Sequence, residues 1–333
     1  MLTIVRFSST LGRPVVRRLL PLLALVVALA SSAGAGASFH RPIQLGLYGD
    51  PSRFAASTGQ KTEVSLAFIN FHQGGADLTR ILAKTGPVPM ISLVPGSYGR
   101  PVTATPEGIA KGKSDGFLFQ LNADISGYPG SLFYVRPFPE MNGWWESNSA
   151  YNENGTRRPA RDSVAWTKKA FARIAIISRG GTEAEINSKL ARLKLPGIKR
   201  DLPDNTSKVK LVWNPQGFGS PDLPGNSANA YYPGNAYVDV VADDLYDMPG
   251  HGATWAAAQA LYDSHPSKPF GFGEWGLWGI DDPSFVREMA DFVRNHRRLV
   301  LLDYFNYGPG STWDIHSKPR SAAAYRKYIS PLG

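Results

Sequence analysis

Two glutamates stand out in this 333-residue chain because of the residues around them. Glu140 lies in Arg-Pro-Phe-Pro-Glu-Met-Asn-Gly-Trp-Trp and Glu274 in Gly-Phe-Gly-Glu-Trp-Gly-Leu-Trp, each at the end of an apolar run and beside tryptophans. A carboxyl among aromatic rings is costly to ionise, so its pKa rises and it can serve as a general acid. A second carboxylate held by hydrogen-bond donors stays ionised and can attack as a nucleophile. Such a pair is what cleavage of a glycosidic bond requires, and a separation of about 5 to 5.5 Å would retain the anomeric configuration. Trp144, Trp145, Trp275 and Trp278 add flat apolar faces of the kind that pack on sugar rings. Taken alone, either glutamate also fits a buried ion pair or a helix cap; together, at two strand ends, they read as acid and nucleophile.

Competing chemistries lose their usual support. The chain has no cysteine, which excludes disulfides, thiolate metal sites and a Cys nucleophile. Its six histidines, His40, His72, His251, His265, His296 and His316, show no metal-ligand spacing, and structural or surface roles are expected for them. His72, just past the second strand, is the one within reach of a barrel mouth. Asp243 and Asp244 read as strand-end hydrogen-bonding groups rather than a cation site. There is no Gly-x-Ser-x-Gly elbow, P-loop or Gly-x-Gly-x-x-Gly after the first strand. No cofactor and no metal are expected.

The elements that must position the glutamates follow from hydrophobic patterning. Short runs rich in β-branched and aromatic residues recur at 44–50, 63–70, 88–95, 132–140, 209–215, 238–247, 269–277 and 299–306. Helical spacing fills 77–84, 108–125, 162–177, 254–264, 283–295 and 322–329. Strand alternating with helix implies parallel strands joined by crossover helices, and eight units in about 290 residues predict one α/β domain, a single (β/α)₈ TIM barrel. Residues 180–207 read as a charged surface insertion, and 217–234 as a long Gly/Pro/Asn loop. A barrel's active site lies at the C-terminal strand ends. The residues to examine there are Asp50, Asn70, Arg136, Glu140, Asn142, Asn214, Asp243 or Asp244, Tyr246, Glu274, Tyr304 and Asn306.

The first 37 residues read as a secretory signal peptide: Arg6, Arg13, Arg17 and Arg18, then the apolar run 19–30, then Ala-x-Ala sites ending at Ala35 or Ala37. The catalytic domain is then 38–333, secreted or periplasmic, with no membrane span left after cleavage. Four of the +9 net charges fall in that leader, leaving +5, and no Lys/Arg run interleaves with aromatics. Nucleic acid is therefore not an expected partner; a polysaccharide substrate is, and a monomer is expected.

The blocks Arg136-Pro-Phe-Pro-Glu140-Met-Asn-Gly-Trp-Trp145, Trp213-Asn214-Pro215, Tyr231 to Asp239 continuing to Asp244-Leu-Tyr246, and Phe272-Gly-Glu274-Trp-Gly together resemble glycoside hydrolase family 26, known for endo-β-1,4-mannanases on retaining (β/α)₈ barrels. The resemblance spans roughly residues 44–310. It implies Glu140 as acid/base and Glu274 as nucleophile. It implies Tyr246 as a hydrogen-bond partner of the nucleophile, Arg136 as a support of the fourth strand's end, and Trp144 or Trp145 lining the subsites around the reacting sugar. Asn142, Trp213, Asn214, Trp275 and Tyr304 complete the expected substrate-binding set, with Phe305 and Tyr307 competing with Tyr304 for the family's eighth-strand aromatic. One departure stands out: the family carries His immediately before the acid/base, and this chain carries Pro139, which has no side-chain donor. β-1,4-Mannan is the first expected substrate, and Pro139 keeps open another β-glycan (glucan, xylan or exopolysaccharide). A glycan-binding barrel without catalysis is the reading from a different class.

Overall fold

The computed structural model describes residues 42–71, 75–96 and 104–333. The expected leader, His40 and His72 lie outside the described residues. Eight parallel strands pair in sequence order and close: β1 (Gln44–Tyr48), β2 (Val64–Asn70), β3 (Val88–Val94), β4 (Phe133–Pro137), β5 (Val209–Trp213), β6 (Val240–Asp247), β7 (Phe270–Leu277) and β8 (Leu299–Phe305), with β8 back against β1. The helices in chain order are α1 (Pro51–Thr58), α2 (Gly75–Leu82), α3 (Pro106–Ala110), α4 (Asp115–Gly127), α5 (Val164–Arg179), α6 (Glu183–Arg192), α7 (Trp255–Ser264), α8 (Pro283–Asn295) and α9 (Pro319–Tyr328). The fold is the (β/α)₈ barrel that the alternation predicts.

Local sequence sets the helix limits. Asp50 caps α1 by accepting from the amides of Ser52 and Arg53 at 2.9 and 3.1 Å; Pro51 opens that helix and Gly59 closes it at φ 74°. In α8, capped by Asp282, the buried Phe285, Val286, Met289, Ala290, Phe292 and Val293 recur at helical spacing along the face turned to the sheet. α6 opens with a capping box in which the Thr182 hydroxyl and the Glu185 carboxylate each take the other's amide.

Two expectations change. The single helix expected over 108–125 is two, α3 and α4, because Gly112 takes φ 83° and a Cβ there would lie 2.9 Å from both the Arg173 guanidinium and the Asp115 carboxylate. Strand and helix do not alternate eight times either: β5 reaches β6 through two 3₁₀ turns, Pro224–Asn226 and Ala228–Tyr231. Pro224, Gly225 and the run of Asn and Ser give that connection no apolar stripe with which to cover the sheet as a helix.

Strand parity divides the core in two. Val64, Leu66, Met90, Tyr134, Val212, Val240, Ala242 and Leu301 fill the bore, while the opposite faces meet the helices in the larger apolar layer. These side chains fill the lower bore, where the Tyr134 hydroxyl donates to Gln44 at 2.6 Å, and the charged cluster lies toward the C-terminal mouth. Among the described residues no helix is long and apolar enough to cross a membrane.

Candidate active site

Arg136 is the centre of the mouth. It projects from β4 into the bore, has no exposed surface, and uses its whole guanidinium. Nε donates to Asn214 Oδ1 at 2.9 Å, Nη1 to Glu274 Oε1 at 2.7 Å and to Ser92 Oγ at 3.2 Å, and Nη2 to Asp244 Oδ2 at 2.5 Å. Burial opposes its charge, but the Asp244 and Glu274 carboxylates outweigh that and raise its pKa further. Sequence reading placed Arg136, Asn214, Asp244 and Glu274 at four separate strand ends; the barrel joins them in one hydrogen-bonded cluster.

Glu274 reaches that cluster through a break in β7. Asp243 of β6 pairs with Phe272 and the next residue, Asp244, pairs with Glu274, so Gly273 is an extra residue, and the pairing with β8 shifts over the same stretch. Such a bulge reverses the side-chain parity beyond it. Phe270 and Phe272 face the helices, Glu274 faces the bore, and Trp275 and Leu277 face the helices again. Only glycine fits at 273, because a Cβ there would sit 1.9 Å from Asn214 Oδ1 and 2.9 Å from Arg136 Nε. Both Glu274 oxygens accept hydrogen bonds, Oε1 from Arg136 and Oε2 from the Tyr246 hydroxyl at 2.7 Å. These two donors, one on each oxygen, fix the orientation of the carboxyl.

Glu140 is held differently. β4 ends at Pro137, earlier than the expected strand, and Glu140 sits in a turn beyond it. Pro139 lies between Phe138 at φ 53° and Glu140 at φ 50°, two non-glycine residues in the left-handed region. Such conformations are strained and persist where surrounding contacts hold them. Here the amide of Phe138 donates to Leu93 O at 2.9 Å and that of Glu140 to Asn214 O at 2.8 Å, tying the turn to both neighbouring strands. Trp145 Nε1 donates to Glu140 Oε2 at 2.5 Å, and the Gln216 side-chain amide donates to Oε1. Burial and the nearby Glu274 charge push the Glu140 carboxyl up to about 7, against these two donors and the Arg136 charge. The two carboxyls are thus held differently: the pKa of Glu140 is raised by burial and by Glu274, and Glu274 accepts from a guanidinium and a hydroxyl.

Further acidic groups surround them. Burial, reinforced by Glu140 and Glu274, pushes Glu146 up to about 8. Burial raises Asp243 to about 7 although the amides of Gly217 and Asp244 donate to it, and raises Asp244 well above the usual carboxylate range despite Arg136. Asp303, fully enclosed on β8, is likewise raised well above that range by burial.

The remaining expected site residues divide. Trp144 and Trp145 are half-buried at the mouth, their rings 5.9 Å apart. Asn142 is fully buried and clips the loops after β4 and β5 together: its amide donates to Gln216 O and Phe218 O, and its carbonyl accepts from the Gln216 amide at 2.8 Å. It positions the loop and has no surface for a sugar. Three aromatic expectations are corrected by strand parity. Trp213 is fully buried against Tyr232 and His265; Trp275 and Tyr304 are fully buried against each other and Tyr325. All three face the helices. The β8 aromatic at the mouth is Phe305, stacked on Tyr48 at 4.8 Å. Asp50 is spent on capping α1, and Asn306 accepts the amide of Ile315 at 2.8 Å.

Sequence reading missed Gln216, Glu146, Ser92, Asp303 and Tyr48. Gln216 directly follows Trp213-Asn214-Pro215, so its position just beyond a strand end was the available signal. Asp303, an acid inside the apolar run Leu299–Phe305, was a second. His265, His296 and His316 serve local contacts with Asn229, Phe292 and Asp314, away from the glutamates. Among the described residues no cluster of three or more His, Asp or Glu could hold a metal ion.

No family model matches the chain. Endoglucanase H of Acetivibrio thermocellus is 23% identical over 344 residues, covering 92% of this chain; the chain spans 32% of that relative's length. Among solved structures, an endo-β-1,4-mannanase double mutant from Cellulomonas fimi superposes with a TM-score of 0.57 at 16% identity, over 87% of this chain and 71% of that one. A GH26 β-mannanase from Bacteroides ovatus gives 0.51 at 16% identity, over 87% and 89%. A mannanase from Bacillus subtilis gives 0.50 at 17% identity, over 87% and 86%. At these identities the likeness is one of fold: the chain is a (β/α)₈ barrel built as those mannanases are.

Proposed function

We propose that the protein is a retaining glycoside hydrolase of family 26 that cleaves a β-linked polysaccharide, β-1,4-mannan foremost. The observation that carries the reading is the contrast between Glu140 and Glu274 over one buried guanidinium. Glu140, pushed up to about 7, supplies a proton to the leaving glycosidic oxygen. Glu274, fixed by Arg136 and Tyr246, attacks the anomeric carbon as the C–O bond breaks, giving a glycosyl ester. Forming that ester removes the Glu274 charge, one of the two causes that hold Glu140 up, so the Glu140 carboxylate becomes a base able to take a proton from water. That water attacks the same carbon and frees Glu274.

The motif blocks at 136–145, 213–215, 244–246 and 272–276 support the family, and the mannanase neighbours support the substrate. A β-glucan is the second reading. Pro139 in place of a donor beside the acid and the endoglucanase relative favour it. The leader-like residues 1–37 support export, and catalysis by one chain is expected because every group named comes from one barrel.

Reducing-sugar release from mannan, glucomannan, xylan and mixed-linkage glucan, with Glu140→Ala and Glu274→Gln in parallel, tests the reading. Turnover of at least one polymer and its loss in both variants are expected. Binding without turnover on every polymer would replace the hydrolase with a glycan-binding barrel.

A further inference from the structure

Among the described residues the exposed large apolar side chains are Phe218, Trp278 and Tyr307, and each follows the C-terminal end of a strand, β5, β7 and β8 in turn. Scattered exposed hydrophobics are ordinary, whereas exposed rings gathered on one rim mark a binding surface. Trp278 and Tyr307 are gathered. Trp278 packs on Trp313 at 4.8 Å, Trp313 meets Tyr307 at 6.1 Å and Phe305 at 5.7 Å, and Phe305 lies nearly parallel to Tyr307 at 6.3 Å. This wall is continuous with the catalytic cluster, because Tyr246, the donor to Glu274, meets both Trp278 and Phe305 edge-on at 6.2 and 6.1 Å. It therefore begins at the nucleophile and ends in solvent at Tyr307, which is 61% exposed.

We infer that Trp278, Tyr307 and Trp313 form a sugar-binding platform for the pyranose units beyond the reacting one, on the glycone side of the bond that breaks. The inference rests on the hydrolase reading for its polarity. The sugar bonded to Glu274 stays with the wall that starts at Glu274, and the leaving chain departs past Glu140, toward Phe218, whose carbonyl is tied to Asn142 two residues beyond the acid. These three side chains offer apolar ring faces and no charge, so their ligand is a β-linked chain of neutral pyranoses with unsubstituted C–H faces. Branches on those faces would block stacking, and acidic groups would find no cation among these three side chains.

The test compares the full chain with its Trp278→Ala/Tyr307→Ala variant on β-1,4-linked manno- and gluco-hexasaccharides and on the p-nitrophenyl β-monoglycosides of the same sugars, which occupy only the reacting position on the glycone side. The kcat/KM ratio of hexasaccharide to monoglycoside is expected to fall at least fivefold, mainly through KM, and Trp278→Phe/Tyr307→Phe is expected to recover most of it. A smaller fall, or an equal loss on both substrates, overturns the platform. Should the wild-type chain cleave none of these, calorimetric binding of the hexasaccharides decides. Binding by wild type that the Ala variant loses sustains the platform while the hydrolase reading fails, and equal or absent binding overturns the platform as well.

Discussion

Arg136 Nη1 lies 2.7 Å from Glu274 Oε1, and the same guanidinium holds Asp244, so one buried cation is shared by two carboxyl groups on two different strands. Removing the cation leaves Asp244 buried without its side-chain donor and Glu274 with Tyr246 alone, which costs far more than the intact cluster contributes. Arg136→Met is expected to lower stability by about 3–5 kcal/mol, read by urea denaturation, and to abolish turnover. Arg136→Lys keeps the charge but not the fork of donors, and is expected to fall between.

As the proposed acid, Glu140 matters to the first step only where the leaving group needs a proton; as the proposed base it matters to the second step on every substrate. Glu140→Ala is expected to lose several decades of kcat/KM on polysaccharide and far less on a dinitrophenyl glycoside, whose phenolate departs unaided. An equal loss on both would remove Glu140 from the acid role. Glu274→Gln is expected to fail on both, because release of either leaving group is coupled to attack by that carboxylate.

If Glu140 is the proposed acid it must be protonated, so activity is expected to fall as pH rises through the Glu140 pKa. The basic limb of kcat/KM is expected near pH 7, the value to which burial and Glu274 push this carboxyl. Gln216 donates to Glu140 Oε1 and so favours its ionised form. Gln216→Leu is expected to move the basic limb to higher pH, a shift that mere loosening of the loop would not give.

Stability should carry the same signature. Burial raises Glu146 to about 8 and Asp243 to about 7. A carboxyl whose folded pKa is raised contributes stability that is fully present below its unfolded pKa and is lost as pH rises through the folded value. From these groups, thermal stability is expected to decline between pH 5 and 8. Glu146→Gln, which cannot ionise, is expected to flatten that decline, as differential scanning calorimetry across the range would show.

Trp213 tests the parity argument. Its ring is fully buried against Tyr232 and His265 on the helix side. Trp213→Ala is expected to cost about 3–5 kcal/mol of stability with KM for polymer unchanged within twofold. A large KM effect with stability intact would return it to the substrate cleft.

The alternation of eight apolar runs with helical segments was enough to fix the barrel, because period-2 and period-3.6 patterning are local properties of the chain. The same strand-end rule marked Glu140, Glu274, Arg136, Asn214 and Tyr246. Which face each neighbour takes was not local. Strict alternation from Phe270 and Phe272 would turn Glu274 toward the helices; the extra residue at Gly273 turns it into the bore and sends Trp275 to the core. Tyr304 was assigned to the mouth where Phe305 lies, because one step along a strand reverses the face. The pairing partner decides the register, and the partner strands β6 and β8 are each separated from β7 by a helix and its loops, beyond the reach of local patterning. The raised pKa of Glu140 has the same origin, since burial and the nearby Glu274 exist only once β4 and β7 stand around one bore.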